Sequence, residues 1–463
     1  MKIRKPLMIR RSLALALAAA LAPATAGAAD LLQTYEMARN GDTTLAIAES
    51  NTLITKEGSV QARAALLPQV SGSASLTRRR TEPEGSPRSF ESTSRNYGLN
   101  ASQTLFNWGQ FSSLRAERSL SAAADQDLAA ASDDLMVRTA AAYFDVLVAI
   151  ESLAAAETNE AAGKRQFDYA DKRLEVGLAP ITDVHEARAQ YDAARANTIL
   201  ARNALQDAYQ ALAELTGQPV RDLRALPADF RPELPSMRSD ADAWVAAAIQ
   251  NNPNLRSSEL RAQAANQGVE TARAGHLPTL SLSGGWSKGA TWGDSIASED
   301  GGGTGQSTGS SIGLTLSVPI FSGGATQSRV RQAVAQRDIA QDQFEQQRRA
   351  LDRNTRNLYQ ALVAGVSEVE ARRLAVVSAQ SALEASQVGL EVGTRTVLDV
   401  VQNQRTLFQA QVEYARSKYN FLLNRLLLSQ ATGELDVDSL RQVNALLSVD
   451  AEAQLQDPSV LRQ

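Results

Sequence analysis

The chain repeats itself at long range. VGLAPITDV occupies Val176–Val184 and VGTRTVLDV occupies Val392–Val400, an offset of 216 residues. Tyr143 and Tyr359 recur at the same offset, as do Thr216-Gly217 and Thr432-Gly433. Earlier in each half, ALLPQVSGS at 65–73 answers GHLPTLSLS at 275–283, but at an offset of 210. The second half therefore carries about six more residues between its Pro278 strand and its later helices. A repeat this long marks a duplicated architecture rather than a short solenoid unit. It overrides the prior of roughly three domains at ~150 residues each. Two similar halves, 29–217 and 240–432, share one body, with a connector at 218–239 and a C-terminal segment at 433–463.

Composition narrows the chemistry. Aromatic residues make up only 5% of the chain, and abundant alanine favours long helices at close range. The net charge is −4 and no basic run points to nucleic acid. Cysteine is absent, which excludes disulfides, thiolate metal sites and cysteine nucleophiles together. The two histidines, His185 and His276, lie far apart in sequence, and neither is read as a metal ligand or a catalytic group. Gly309-Ser310-Ser311-Ile312-Gly313 has the spacing of a nucleophile elbow, a motif that needs a strand before it and a helix after it. Here a glycine-rich loop precedes and a strand follows, so the match is fortuitous. There is no phosphate loop and no dinucleotide fingerprint. No enzymatic activity and no cofactor or metal is expected.

The first 28 residues read as a secretion signal. Lys2, Arg4, Lys5, Arg10 and Arg11 form a positive n-region, and SLALALAAALA at 12–22 is an apolar core too short to span a bilayer. Small residues at Ala24-Thr25-Ala26 and Ala26-Gly27-Ala28 suit cleavage, with Ala28 the favoured site because helix-like sequence begins at Asp30. Arg10-Arg11 is a twin-arginine pair in a weak context, so general secretion is expected. Beyond this leader the sequence offers no long apolar stretch, so an exported chain of this kind would enter a membrane by β-strands.

Proline breaks helices and central strands, and this chain has none from Arg88 to Ala179, Ile181 to Gln218, or Ile320 to Asp457. These gaps predict helices at about 109–176, 182–215, 325–391 and 397–431. At ~1.5 Å per residue the first would be roughly 100 Å long, which suggests a coiled-coil rod. Shorter helices, about 31–66 and 240–274, open each half. Pro219, Pro227, Pro232 and Pro235 cluster in the connector.

Each half also holds a strand pair, about 67–106 and 278–320. Val70, Gly72, Ala74 and Leu76 alternate with Ser71, Ser73, Ser75 and Thr77. Tyr97, Leu99, Ala101 and Leu105 alternate with Gly98, Asn100, Ser102 and Thr104. Leu280 and Leu282 alternate with Ser281 and Ser283. Ile312, Leu314, Leu316 and Val318 alternate with Gly313, Thr315 and Ser317. Period two with small polar residues on one face fits a barrel wall, apolar outside and wet inside. One such strand fits a half-buried strand of a soluble sheet equally well. Four of them, flanked by Phe106, Trp108, Trp286 and Phe321 as candidate interface anchors, favour the membrane. Residues 78–95 (with Arg78, Arg79, Arg80, Glu82 and Glu84) and 287–309 (with Gly301-Gly302-Gly303) read as long outer loops. Four strands cannot close, since the smallest such barrels have about eight, and open edges in lipid leave backbone groups unsatisfied. The chain must oligomerise. Two copies give eight strands with a nearly filled interior, and three give twelve with an open lumen.

These residues resemble the TolC family of outer-membrane efflux proteins, from about Asp30 to Ala445. VGL-x-x-ITDV-x-x-ARAQYD stands at Val176–Asp192 and VGTRT-x-x-DV at Val392–Val400. GHLPTL (275–280), VPIF (318–321) and YNFLLN (419–424) also match. The resemblance implies a mainly α-helical homotrimer in which four strands per chain make a twelve-stranded membrane β-barrel. A long α-helical coiled-coil tunnel continues from it across the periplasm. It implies an equatorial belt from about 217–240 and 433–463, and residence in the outer membrane of a Gram-negative bacterium, in contact with its lipid. The implied partners are a periplasmic adaptor and an inner-membrane transporter of the RND, ABC or MFS type. The implied function is a passive exit duct for drug efflux, type I protein secretion or both, opened at its periplasmic end.

The resemblance also assigns residues. The two repeated motifs become helix-tip turns at Gly177 and Gly393, with the second tip lining the pore entrance. Asp399 matches a pore-facing aspartate, and three copies would ring the entrance with carboxylates. The family's second aspartate is Gln402 here, so one acidic ring is expected rather than two. Arg395 matches an arginine that latches the tip to the neighbouring protomer, with Thr182 and Asp183 as expected partners. A tyrosine of that latch is Leu390 here. Read from the residues alone, the glycines suit helix C-termini and Thr182 or Asp183 an N-cap; a turn that ends a helix can also form a gate. The competing reading is a periplasmic coiled-coil adaptor, which needs one helical hairpin and soluble β-domains where this chain has two hairpins and two lipid-type strand pairs. A surface receptor or adhesin is suggested only by the long loops.

Overall fold

The computed structural model describes residues 30–82, 89–178, 180–234, 240–293 and 305–453. The secretion signal, Glu84, Gly301-Gly302-Gly303, Pro235 and the end of the C-terminal segment lie outside them. Each half opens with two short helices: α1 (Leu31–Gly41) and α2 (Thr43–Ala64), then α5 (Ala241–Asn251) and α6 (Pro253–Arg273). The single helices expected at 31–66 and 240–274 are thus each broken near their first third. Asp42 ends α1 in extended backbone and caps α2 through its carboxylate to the Leu45 N–H. Asn252 does the same for α6, accepting from the Leu255 N–H, with Pro253 at the first helical position where its missing N–H costs nothing.

Two helical hairpins follow, α3 (Trp108–Glu175) with α4 (Ile181–Thr216), and α7 (Ala325–Glu391) with α8 (Val397–Ala431). At 68 residues, α3 is roughly 100 Å long. By length and composition α3 is apolar enough to cross a membrane, contrary to the sequence reading, but most of its apolar stretch is packed inside the helical bundle.

Between the helices lie β1 (Gln69–Thr81), β2 (Phe90–Phe106), β4 (Thr279–Gly293) and β5 (Gly305–Ser317). They form one antiparallel sheet in the order β1-β2-β4-β5, so the β2–β4 pairing joins the two repeats. The strands run further than alternation alone indicated. Arg78, Arg79 and Arg80 pair with Thr93, Ser92 and Glu91 inside the sheet rather than sitting in a loop, and Gly309–Gly313 lies wholly within β5. The register puts Leu99 beside Gly72 and Trp286, and Leu282 beside Leu314, on one face. That face is bare in a single chain: Ile312 is 83% and Val70 72% exposed. Serines, glycines and asparagines occupy the other face.

The main core sits midway along the helices, where Leu135, Tyr143, Leu147 and Ile150 of α3 meet Leu212 of α4 and Tyr419, Leu422 and Leu426 of α8. A two-stranded sheet, β3 (Arg224–Ala225) with β6 (Val449–Asp450), ties the connector to the C-terminal segment around this core. The repeated Tyr143 explains its place in the first copy: its hydroxyl donates to the Arg224 carbonyl at 2.9 Å and accepts from the Arg224 N–H at 2.8 Å. The helix α9 (Val437–Asn444) buries Leu440 and Val443 in the same core. Lys418, 4% exposed, crosses from α8 to the Glu151 carboxylate of α3 at 2.9 and 3.0 Å, and Tyr419 donates to the same carboxylate. The repeated Thr-Gly pairs end α4 and α8 against the breaks of the short helices. Gly433, at φ +66°, lies so close to the Asn251 carbonyl that a Cβ would sit 2.4 Å from its oxygen.

Candidate functional site at the helical tips

The hairpins turn at the far ends of the long helices from the sheet. At the first tip, α3 stops at Glu175 and Gly177 takes φ +74°, a left-handed conformation that glycine adopts without a Cβ clash. Its N–H donates to the Leu174 carbonyl at 2.9 Å and the Leu178 N–H to the Arg173 carbonyl at 2.7 Å, so the last α3 carbonyls are satisfied. The next helix begins at Ile181 with Pro180 in the N-cap position and no side-chain cap. Thr182 and Asp183 are therefore inside the helix, not its cap as expected. Pro180, at φ −74°, sets the extended entry instead, two residues before Thr182. The Asp183 carboxylate remains in the first turn, where the helix dipole favours negative charge.

The second tip has the same glycine and a different start. Gly393 takes φ +79° and donates to the Leu390 carbonyl at 3.2 Å. The Thr394 and Arg395 N–H groups both donate to the Gly389 carbonyl, at 2.8 and 3.1 Å, and the Thr394 hydroxyl donates to it as well at 3.1 Å. Thr396 then caps α8 reciprocally: its hydroxyl accepts from the Asp399 N–H at 3.2 Å, and its own N–H donates to the Asp399 carboxylate at 2.9 Å. Hydrogen bonds from the Thr396 backbone and side chain, with Arg395 beside it, hold the Asp399 carboxyl below the usual carboxylate range.

Just above the turns, the two hairpins share a small apolar core. Ala170, Val184 and Ala187 from the first meet Leu383, Leu390, Val397, Val400 and Val401 from the second. Leu390 is 8% exposed within it. Above this core lies a polar cavity of about 200 Å³ between Asn159, Gly163 and Gln166 of α3, Gln190 and Asn197 of α4, and Gln404 and Arg405 of α8. Gln404 crosses it to the Asn159 carbonyl at 2.9 Å, and Asn403 hydrogen-bonds Ser386 across the second hairpin.

The tips thus bring Asp399 onto Thr396 and place Arg395 against Gly389, where a Cβ would meet the Arg395 Cγ at 2.6 Å. Arg395, Thr182 and Gln402 are exposed and Asp183 is half-buried. Among the described residues of one chain, no hydrogen bond or ion pair joins Arg395 to Thr182 or Asp183. Gly389, Thr396 and Gln404 escaped the sequence reading. Thr396 had a local signal, the T-x-x-D spacing to Asp399 at a helix start. Gly389 and Gln404 had none, because their partners lie across a turn or on another hairpin.

The sequence matches the family of outer membrane efflux proteins over residues 34–218 and 244–434, which are the two repeats. It is 34% identical over 423 residues to the outer membrane protein TolC of Vibrio cholerae, covering 91% of this chain and 94% of that protein. It is 25% identical to the proteases secretion protein PrtF of Dickeya chrysanthemi over 95% of each chain. Among solved structures, the Campylobacter jejuni CmeC outer membrane channel has the same fold, with a TM-score of 0.74 at 20% identity over 90% of both chains. Two repeats, a split sheet with one bare apolar face, paired long helices and this match over both halves have one explanation: the chain belongs to the outer membrane efflux protein family.

Proposed function

We propose that three copies of this chain form a passive duct across the outer membrane and the periplasm, serving efflux, type I protein secretion or both. The observation that carries it is the sheet. Its apolar face is bare, its other face is lined with serine, glycine and asparagine, and its outer strands β1 and β5 each have one partner among the described residues. Lipid on the apolar face and neighbouring copies on the two edges resolve both features. Three copies, with twelve strands, leave an aqueous lumen where two would fill it with side chains. The long helices would prolong that lumen through the periplasm. The family's description supports efflux and the name of one relative, a proteases secretion protein, supports secretion.

In this reading the second tip lines the entrance. Asp399 from three copies forms one carboxylate ring and Gln402 leaves the next level neutral, so multivalent cations block more weakly than in a two-ring channel. Arg395 reaches Thr182 and Asp183 of the neighbouring copy and biases the gate closed. An adaptor and an inner-membrane transporter of the RND, ABC or MFS type supply the opening force. Purified protein should run as a heat-sensitive trimer on gels and conduct in planar bilayers, with higher resting conductance for Arg395→Ala. A monomer without conductance would overturn the duct, and unchanged resting conductance would remove Arg395 from the latch.

A further inference from the structure

The apolar face of the sheet changes character towards its hairpin ends. On β1, Val70, Gly72, Ala74 and Leu76 give way to Arg78 and Arg80. On β2, Leu99 and Tyr97 give way to Arg95, and on β4, Leu282 and Trp286 give way to Lys288. The register keeps all four cations on the lipid-type face: Arg95 pairs with Leu76, Arg78 with Thr93, and Lys288 with Tyr97. Arg78 and Arg95 are diagonal neighbours on adjacent strands, as are Arg95 and Lys288, and each pair has a spacing of roughly 7–8 Å that a phosphate-sized group can bridge. Of the five Lys and Arg residues on the four strands, only Arg79 faces the other way, and none lies on the helix-proximal half of the apolar face.

Their surroundings hold them for use. Glu91 pairs with Arg78 at 2.6 Å and Arg80 at 3.9 Å, and Glu82 pairs with Arg80 at 2.9 Å, fixing two guanidinium groups at the rim. Arg95 lies over the Tyr97 ring at 5.4 Å and, like Lys288, is exposed. Among the described residues, four cations face two carboxylates, which leaves this part of the patch positive. A cation facing hydrocarbon is costly, so such a row belongs at headgroup level, against lipid phosphates.

We infer that Arg78, Arg80, Arg95 and Lys288 form a docking belt for phosphate-bearing lipid headgroups of the outer leaflet, repeated three times around the barrel. The inference rests on the membrane reading of the sheet. Each cation near an anionic lipid surface strengthens binding about fivefold. The test uses the full-length purified channel, with vesicles containing a bis-phosphorylated disaccharide lipid, the same lipid dephosphorylated, or inorganic phosphate alone. Binding and trimer melting are read for the wild type and for Arg95→Gln/Lys288→Gln. The phosphorylated lipid should bind and raise the melting temperature, and the double variant should bind it roughly thirtyfold more weakly with unchanged conductance. Equal binding of the dephosphorylated lipid, an equal effect of free phosphate, or undiminished binding by the double variant would each overturn the belt. A wild type that neither inserts nor conducts would instead sink the membrane reading on which the belt depends.

Discussion

The two hairpin tips descend from one repeated motif and have become unlike each other. Both turn on a left-handed glycine, Gly177 at φ +74° and Gly393 at φ +79°. Beyond the glycine they diverge. The first helix restarts on Pro180 without a side-chain cap, whereas the second restarts on a reciprocal cap between Thr396 and Asp399, with Gly389 drawing three hydrogen bonds into the turn. Among the described residues, the second tip is the more extensively hydrogen-bonded of the two. In the proposed gate, which would move one hairpin against the other, such a difference lets the second hairpin keep its shape while its seat gives way. The seat here is the shared apolar core around Leu390 and Val184.

Substitutions that separate the tips should follow a definite order. Leu390→Ala, which hollows the shared core, should have the largest effect, about 2–4 kcal/mol of local stability. It should appear as faster amide exchange in both tips with little change at the equatorial core. Exchange confined to the second tip would show that the hairpins do not share a seat. Next come Gly177→Ala and Gly393→Ala, at roughly 1–2 kcal/mol each. Their effects should be equal, since both glycines have the same sign of φ and neither Cβ would meet a neighbour. An unequal pair would put the difference between the tips in the turns rather than in the caps.

The caps should give the smallest and most asymmetric effect. Thr396→Ala should cost about 1 kcal/mol at the start of α8, while Thr182→Ala, inside an uncapped helix, should change almost nothing at the start of α4. The contribution of the Thr396–Asp399 cap should also depend on pH. The Asp399 carboxyl is held below its ordinary range, so that contribution is fully present above the ordinary carboxylate pKa. It is lost as pH falls through the depressed value. Amide protection at Thr396 and Asp399 should therefore fall in acid and stay flat through neutral pH.

Much of this architecture is legible in the sequence itself. Proline-free runs locate long helices because proline is what a helix of that length cannot contain. Four alternating segments with serine on one face identify the membrane strands. The strand ends were not legible: Arg78–Thr81 and Phe90–Asn96 pair in register and through Arg78–Glu91 and Arg80–Glu91 contacts, but without apolar alternation a charged rim looks like loop. The breaks at Asp42 and Asn252 did carry local signals, Asn40-Gly41-Asp42 and Asn252-Pro253, which the helical runs on either side outweighed. At the tips, the glycines were readable from their place after helical runs. The roles of Pro180, Gly389 and Leu390 were not, because a steric contact across a turn and a core shared by two hairpins leave no mark in local sequence.

The absence of native cysteine gives a clean background for one direct measurement: single-channel recording of Asp399→Cys and Asp183→Cys with a bulky thiol reagent added from the helical end. If the second tip lines the entrance and the first supports it from outside, the reagent should block Asp399→Cys and leave the conductance of Asp183→Cys nearly unchanged. Equal block of both variants, or block of Asp183→Cys alone, would contradict the assignment of the pore to the second tip.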